Sequence, residues 1–113
     1  LTNIVNRLTV NEQVPSKSII VLSNKSFEKS VLSTESEIGR LGIDKSEKFD
    51  IIDADTIRFF TVPAFKGMEA DIIIFLNHVK KHEALSKEEI CAQYVALTRA
   101  RYYLYVLNIL NQE

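Results

Sequence analysis

Residues 18–23 read SIIVLS, a run of apolar and β-branched side chains of strand length. A strand with one wet face alternates apolar and polar residues. An unbroken apolar run instead fits burial on both faces, as in the middle of a parallel sheet. Three further stretches have strand character: TIRFFTV (56–62), closed by Pro63; DIIIFL (71–76), wholly apolar after its aspartate; and YYLYVL (102–107). Helical signals lie between and before them. Leu1, Ile4, Val5 and Leu8 share one helical face before Pro15 interrupts. Asn24 is placed to cap a helix through Phe27, Val31 and Leu32. Thr34 with Glu37 makes a start signal of the capping-box type, with Gly42 as a stop, and Ser86 with Glu89 opens a helix through Ile90, Tyr94 and Leu97. Strands alternating with helices predict a single α/β domain. Its mainly parallel sheet would be flanked by helices, with the four apolar stretches as neighbouring strands.

The chain has 113 residues, 46% hydrophobic and 26% charged, which suits one compact domain with one core. No apolar run approaches the roughly 18 residues that a membrane-spanning helix needs. LTNIVNRLTV lacks the basic start, apolar middle and small-residue cleavage site of a signal peptide, and the chain opens on Leu1, so it reads as a piece of something longer. A net charge of −1 and a pI near 6.2 exclude a domain that holds nucleic acid by general positive charge, for which a pI above about 9 is usual. Any nucleic-acid contact must be local or shared. The single cysteine, Cys91, cannot form an internal disulfide; within its helical, apolar surroundings it is expected as a buried free thiol. A reducing, cytoplasmic setting fits this expectation.

Two stretches carry chemistry: TVPAFKGMEAD (61–71), bridging two strands, and YVALTRAR (94–101), ending the last long helix. Together they resemble motifs V and VI of the UvrD/Rep-like superfamily 1 helicases, T-x-H-x-x-K-G-L-E-x-D before an apolar strand and Y-V-A-[LI]-T-R-A-[KR] before a terminal strand. Order and context match, and the resemblance covers about residues 18–107. It implies a RecA-like fold of the P-loop NTPase type, the second of two such domains facing each other across an ATP-binding cleft.

By that resemblance Arg99 is the arginine finger. Phosphoryl transfer needs positive charge at the γ-phosphate, and a guanidinium on the opposing domain supplies it when the cleft closes. Glu69 would accept hydrogen bonds from ribose hydroxyls, with Gly67 allowing the backbone turn that brings it near the nucleotide. Thr61 and Lys66 would couple the nucleotide site to single-stranded DNA through phosphate contacts. The implied cofactor is ATP with magnesium, the magnesium ligands lying on a missing N-terminal RecA-like domain; that domain and single-stranded DNA are the implied partners. Pro63 stands where the family commonly has histidine, and proline offers neither ring nitrogens nor a backbone donor. Phe65 replaces a usual small residue, either as a base-stacking ring or as core. About thirty residues separate Ser23 from Thr56, too few for the accessory domain that the family often inserts there.

Plainer readings stand beside these. Arg99 and Arg101 would suit a helix C-terminus through the macrodipole alone, and Lys66 and Glu69 could be an ordinary solvated pair. His78 and His82 have the i, i+4 spacing of metal ligands on a helix, without a third ligand. Asp50, Asp53 and Asp55 suit a solvated acidic loop, and Tyr102, Tyr103 and Tyr105 suit sheet core and rim rather than a stacking platform.

There is no G-x-x-x-x-G-K-[ST] in the sequence, and DIIIFL runs into Asn77 and His78 rather than an acidic pair. The chain alone is therefore expected not to hydrolyse ATP. Two functions remain: the C-terminal motor domain of an ATP-dependent DNA helicase or translocase, and a non-catalytic interaction domain descended from the same fold.

Overall fold

The computed structural model describes residues 1–47, 55–65, 67–80, 87, 90, 91, 94 and 98–111. The strand expected from SIIVLS is β1 (Ile19–Ser23), every residue of which is buried. Around it lies a six-stranded sheet. Two short strands, β2 (Glu37–Ile38) and β3 (Leu41–Asp44), form an antiparallel hairpin. The other strands are β4 (Thr56–Thr61), β5 (Ala70–Lys80) and β6 (Ala100–Asn111). The order is β2-β3-β4-β1-β5-β6, and every pairing except the hairpin is parallel. The four apolar stretches are thus neighbours. A radius of gyration of 13.5 Å matches the roughly 13 Å of one compact domain of this length.

Side chains alternate across the sheet and divide the core into two clusters. On one face Ile19, Val21, Ile57, Phe59, Ile72, Ile74 and Leu76 pack beneath Val5, Leu8, Phe27, Leu32 and Ile38. The N-terminal amphipathic pattern does form there, as α1 (Thr2–Asn6) running into a π-helical segment (Arg7–Asn11), with Val5 and Leu8 buried. Phe27 meets Phe59 edge to face at 5.3 Å. On the other face Ile20, Leu22, Phe60, Ile73 and Phe75 pack with Ala70 at the start of β5 and with Val62 and Phe65 from the connection that carries the chain across β1 from β4 to β5.

Several helical expectations fail. No α-helix follows Asn24; Phe27–Lys29 is a single 3₁₀ turn. The Asn24 side chain bonds β5 instead, donating to the His78 carbonyl at 2.9 Å and accepting from the His78 N–H at 2.9 Å. Thr34 and Glu37 open no helix, because Glu37 begins β2. Gly42 is no stop: it lies inside β3, its N–H donating to the Asp55 carbonyl at 2.8 Å. Both misreadings have one cause, since local capping signals are weaker than the gain from extending a sheet edge.

His78 belongs to β5, not to a helix. Residues 87, 90, 91, 94, 98 and 99 are helical, but Ile90 and Tyr94 are exposed, and Cys91 is exposed rather than buried. Ser86, Glu89, Leu97, His82, Asp50 and Asp53 lie outside the described residues. β6 is an edge strand, so two-sided burial holds for β1 and not for YYLYVL: Tyr102 and Tyr103 are 73% and 61% exposed.

Candidate functional site

Parallel pairing decides which sequence motifs meet. Ala70 of β5 pairs with Ala100 of β6, so the residues immediately before them, Glu69 and Arg99, sit at the same N-terminal end of adjacent strands. The register shifts between Ala70 and Ile72, a bulge of the kind that re-aims side chains at a sheet end. Here Arg101 reaches back to β5. Its Nε donates to Glu69 Oε2 at 3.2 Å and its Nη1 to Asp71 Oδ1 at 3.0 Å. These bonds, to Glu69 first and then Asp71, raise the Arg101 guanidinium above its ordinary range. All three side chains are solvated, so the triad orients groups more than it stabilises the fold.

Arg99 is half-buried. Its Nε is buried with no acceptor among the described residues, a state it shares only with Arg58 Nε in β4. A buried donor without a partner costs on the order of 1–3 kcal/mol, and native structures seldom keep one without a reason. Both such donors are guanidinium nitrogens toward the N-terminal end of the parallel strands.

Gly67 has φ +85°, and nothing lies within 4 Å of where a Cβ would stand. It is required by backbone conformation, not by close approach. The turn it makes brings the chain into Glu69 and the start of β5. Lys66 lies outside the described residues.

Thr61 is elsewhere. It ends β4, level with Ser23, at the C-terminal end of the strands. Its hydroxyl lies 3.5 Å from Glu47 Oε1, so it faces a carboxylate rather than a cation. Pro63 opens a 3₁₀ turn over Pro63–Phe65. Phe65 is core: it is 1% exposed and tilts against Phe60 at 5.5 Å, which removes the base-stacking option. Tyr105 is half-buried and its hydroxyl accepts from Arg7 Nη2 at 3.2 Å. Asp55 sits in the turn entering β4. Among the described residues no group of three or more His, Cys, Asp and Glu is arranged to hold a metal ion.

No protein-family model matches the chain, and no curated protein matches it either.

Sequence reasoning missed one constellation, at the C-terminal end of β1 and β5. His78 is 3% exposed. Val31 N–H donates to its Nε2 at 3.0 Å, which leaves Nδ1 to carry the proton and donate to Asn24 Oδ1 at 3.0 Å. Asn77 Nδ2 donates to Asn108 Oδ1 at 3.0 Å. Burial, foremost, lowers the His78 pKa from its ordinary value, and the charge of Lys25 adds to this. The available signal was the polar pair Asn77-His78 ending an apolar central strand, where polar groups must find partners. Arg58 gave no signal beyond a lone cation in TIRFFTV.

Proposed function

We propose that the chain is the C-terminal, RecA-like motor domain of an ATP-dependent superfamily 1 DNA helicase or translocase. Its N-terminal strand edge would face a partner RecA-like domain across a nucleotide cleft. The observation that carries this reading is the meeting, at one end of paired β5 and β6, of the two motif residues assigned to the nucleotide: Glu69 and Arg99. They are thirty positions apart in sequence and adjacent only through parallel register.

The residues present suit one side of a nucleotide. Arg99 has an Nε donor with no acceptor among the described residues, and Glu69 offers a solvated carboxylate. When bound, ATP with magnesium on the partner domain supplies the phosphoryl group. Arg99 would place a planar, permanently charged fork beside the γ-phosphate as the cleft closes, and Glu69 would accept from the ribose hydroxyls after loosening from Arg101. Thr61 and Lys66 would meet the DNA strand, Thr61 turning from Glu47.

The test is single-stranded-DNA-stimulated ATP turnover of the parent protein. Arg99→Ala is expected to lower it by roughly 10³-fold or more, with thermal stability unchanged, and Arg101→Ala far less. Near-normal turnover in the Arg99 variant moves the assignment to a non-catalytic interaction domain. That second reading is favoured by Pro63 and by the Glu47 carboxylate opposite Thr61.

A further inference from the structure

A cavity of about 270 Å³ opens at the N-terminal edge of the sheet, on the face carrying Ile20 and Phe65. Its charged lining is Lys17, Arg58, Glu69, Asp71 and Arg101. The two carboxylates are already paired with Arg101, at 3.2 and 3.0 Å. That leaves Lys17 and Arg58 as cations without a carboxylate among the described residues. Arg58 is also held in place: its Nη2 donates to the Lys17 carbonyl at 2.9 Å, while its Nε is a buried donor with no acceptor.

We propose that this cavity is a phosphate-monoester site in which Arg58 and Lys17 bind the dianion. A guanidinium anchored through one Nη2 donor offers its remaining terminal N–H groups as a fork for two oxygens of a tetrahedral oxyanion, and a second cation on a flexible stem adds point charge. Ile20 and Phe65 supply the apolar part of the lining. A monoester carries between one and a half and two negative charges near neutrality, and so outweighs a diester against the Glu69 and Asp71 carboxylates at the rim. The volume is small for a strand of nucleic acid and suits one phosphate with part of its sugar. Arg99 is not among the cavity's lining residues, whereas Glu69 is, so the cavity adjoins the proposed nucleotide contact; its anion chemistry rests on Arg58 and Lys17 and not on the helicase reading.

The experiment follows the Arg58 Nε–H and the backbone amides of Ile20 and Ala70 by NMR in the ¹⁵N-labelled 113-residue chain, at low salt and about pH 7.5. Inorganic phosphate, adenosine monophosphate and adenosine are titrated in turn. Saturable shifts are expected with the first two and none with adenosine. Arg58→Gln should weaken binding about tenfold or more, and Lys17→Gln about threefold. Arg58→Lys should recover only part of the loss, since it keeps the charge and not the fork. Should Arg58→Gln fail to fold, Lys17→Gln and Arg58→Lys decide the matter. Shifts that do not saturate, equal binding of adenosine, or variants that bind like the wild type overturn the proposal. So does tighter binding of a dephosphorylated oligonucleotide at the same resonances.

Discussion

Arg99 and Arg101 are two positions apart and chemically identical, and the structure gives them different tasks. Arg101 bridges Glu69, just before β5, and Asp71 on β5, while Arg99 keeps a buried Nε with no acceptor among the described residues. If the proposed helicase assignment holds, Arg99→Ala should change nucleotide affinity of the intact motor far less than its turnover, because the proposed contact would strengthen mainly as charge develops on the transferring group. Equilibrium binding measured beside turnover checks this split. At Gly67 the expected effect is on folding: a side chain at φ +85° costs about 1–2 kcal/mol. Gly67→Ala should lower unfolding free energy by that amount and Gly67→Asn by less, since asparagine tolerates this region; denaturant titration reads the difference. His78 ties stability to pH. Its folded pKa is lowered, so its contribution is fully present above the unfolded value near 6.5. As pH falls below that value the unfolded chain takes the proton first, and stability declines until the folded group titrates. Unfolding curves between about pH 7.5 and 5 should show this loss, and a His78→Gln variant should show less of it.

The segment after β1 is held by side chains rather than by a helix. Asn24 grips both backbone groups of His78, and the His78 ring receives Val31 N–H. Asn24→Ala should therefore speed hydrogen exchange at Val31 well beyond any change at Val21 in the centre of β1; equal slowing or equal speeding at both sites would show that the grip is not local. Strand position sets the cost of truncation. Ile74 is wholly buried in β5 whereas Val106 is 45% exposed on edge strand β6. Ile74→Ala should cost about 2–5 kcal/mol, and Val106→Ala no more than about 0.5 kcal/mol, as compared by denaturant unfolding.

Taken whole, the molecule has a near-zero net charge of −1 and no phosphate-binding loop in its sequence. The isolated chain should fold, yet neither turn over ATP nor hold single-stranded DNA with submicromolar affinity at physiological salt, because general attraction to phosphates is lacking. A coupled ATPase assay and fluorescence anisotropy with a labelled oligonucleotide measure the two halves. Phosphate held weakly at Arg58 and Lys17 is compatible with both outcomes, since one anion site contributes little to strand affinity.

Much of the architecture is legible in the sequence. SIIVLS, TIRFFTV, DIIIFL and YYLYVL declare strands through apolar and β-branched content, and the lack of alternation in SIIVLS and DIIIFL declares the centre of a parallel sheet. Those signals are local and repeated over several residues, so neighbouring choices reinforce each other. The middle of the chain was not legible. Asn24, Thr34 and Gly42 each carry a one-residue helix signal, and each yields to a longer-range partner: His78 for Asn24, the β2–β3 hairpin for Thr34 and its Glu37, the Asp55 carbonyl for Gly42. The candidate site divides in the same way. The resemblance of TVPAFKGMEAD and YVALTRAR to helicase motifs V and VI marked Glu69, Gly67 and Arg99 as candidates from the sequence. Only tertiary structure decided that Glu69 and Arg99 meet at one strand edge, that Arg101 holds the carboxylates, and that Arg58 joins that edge from β4, because parallel register brings together residues whose separation along the chain says nothing of their separation in space.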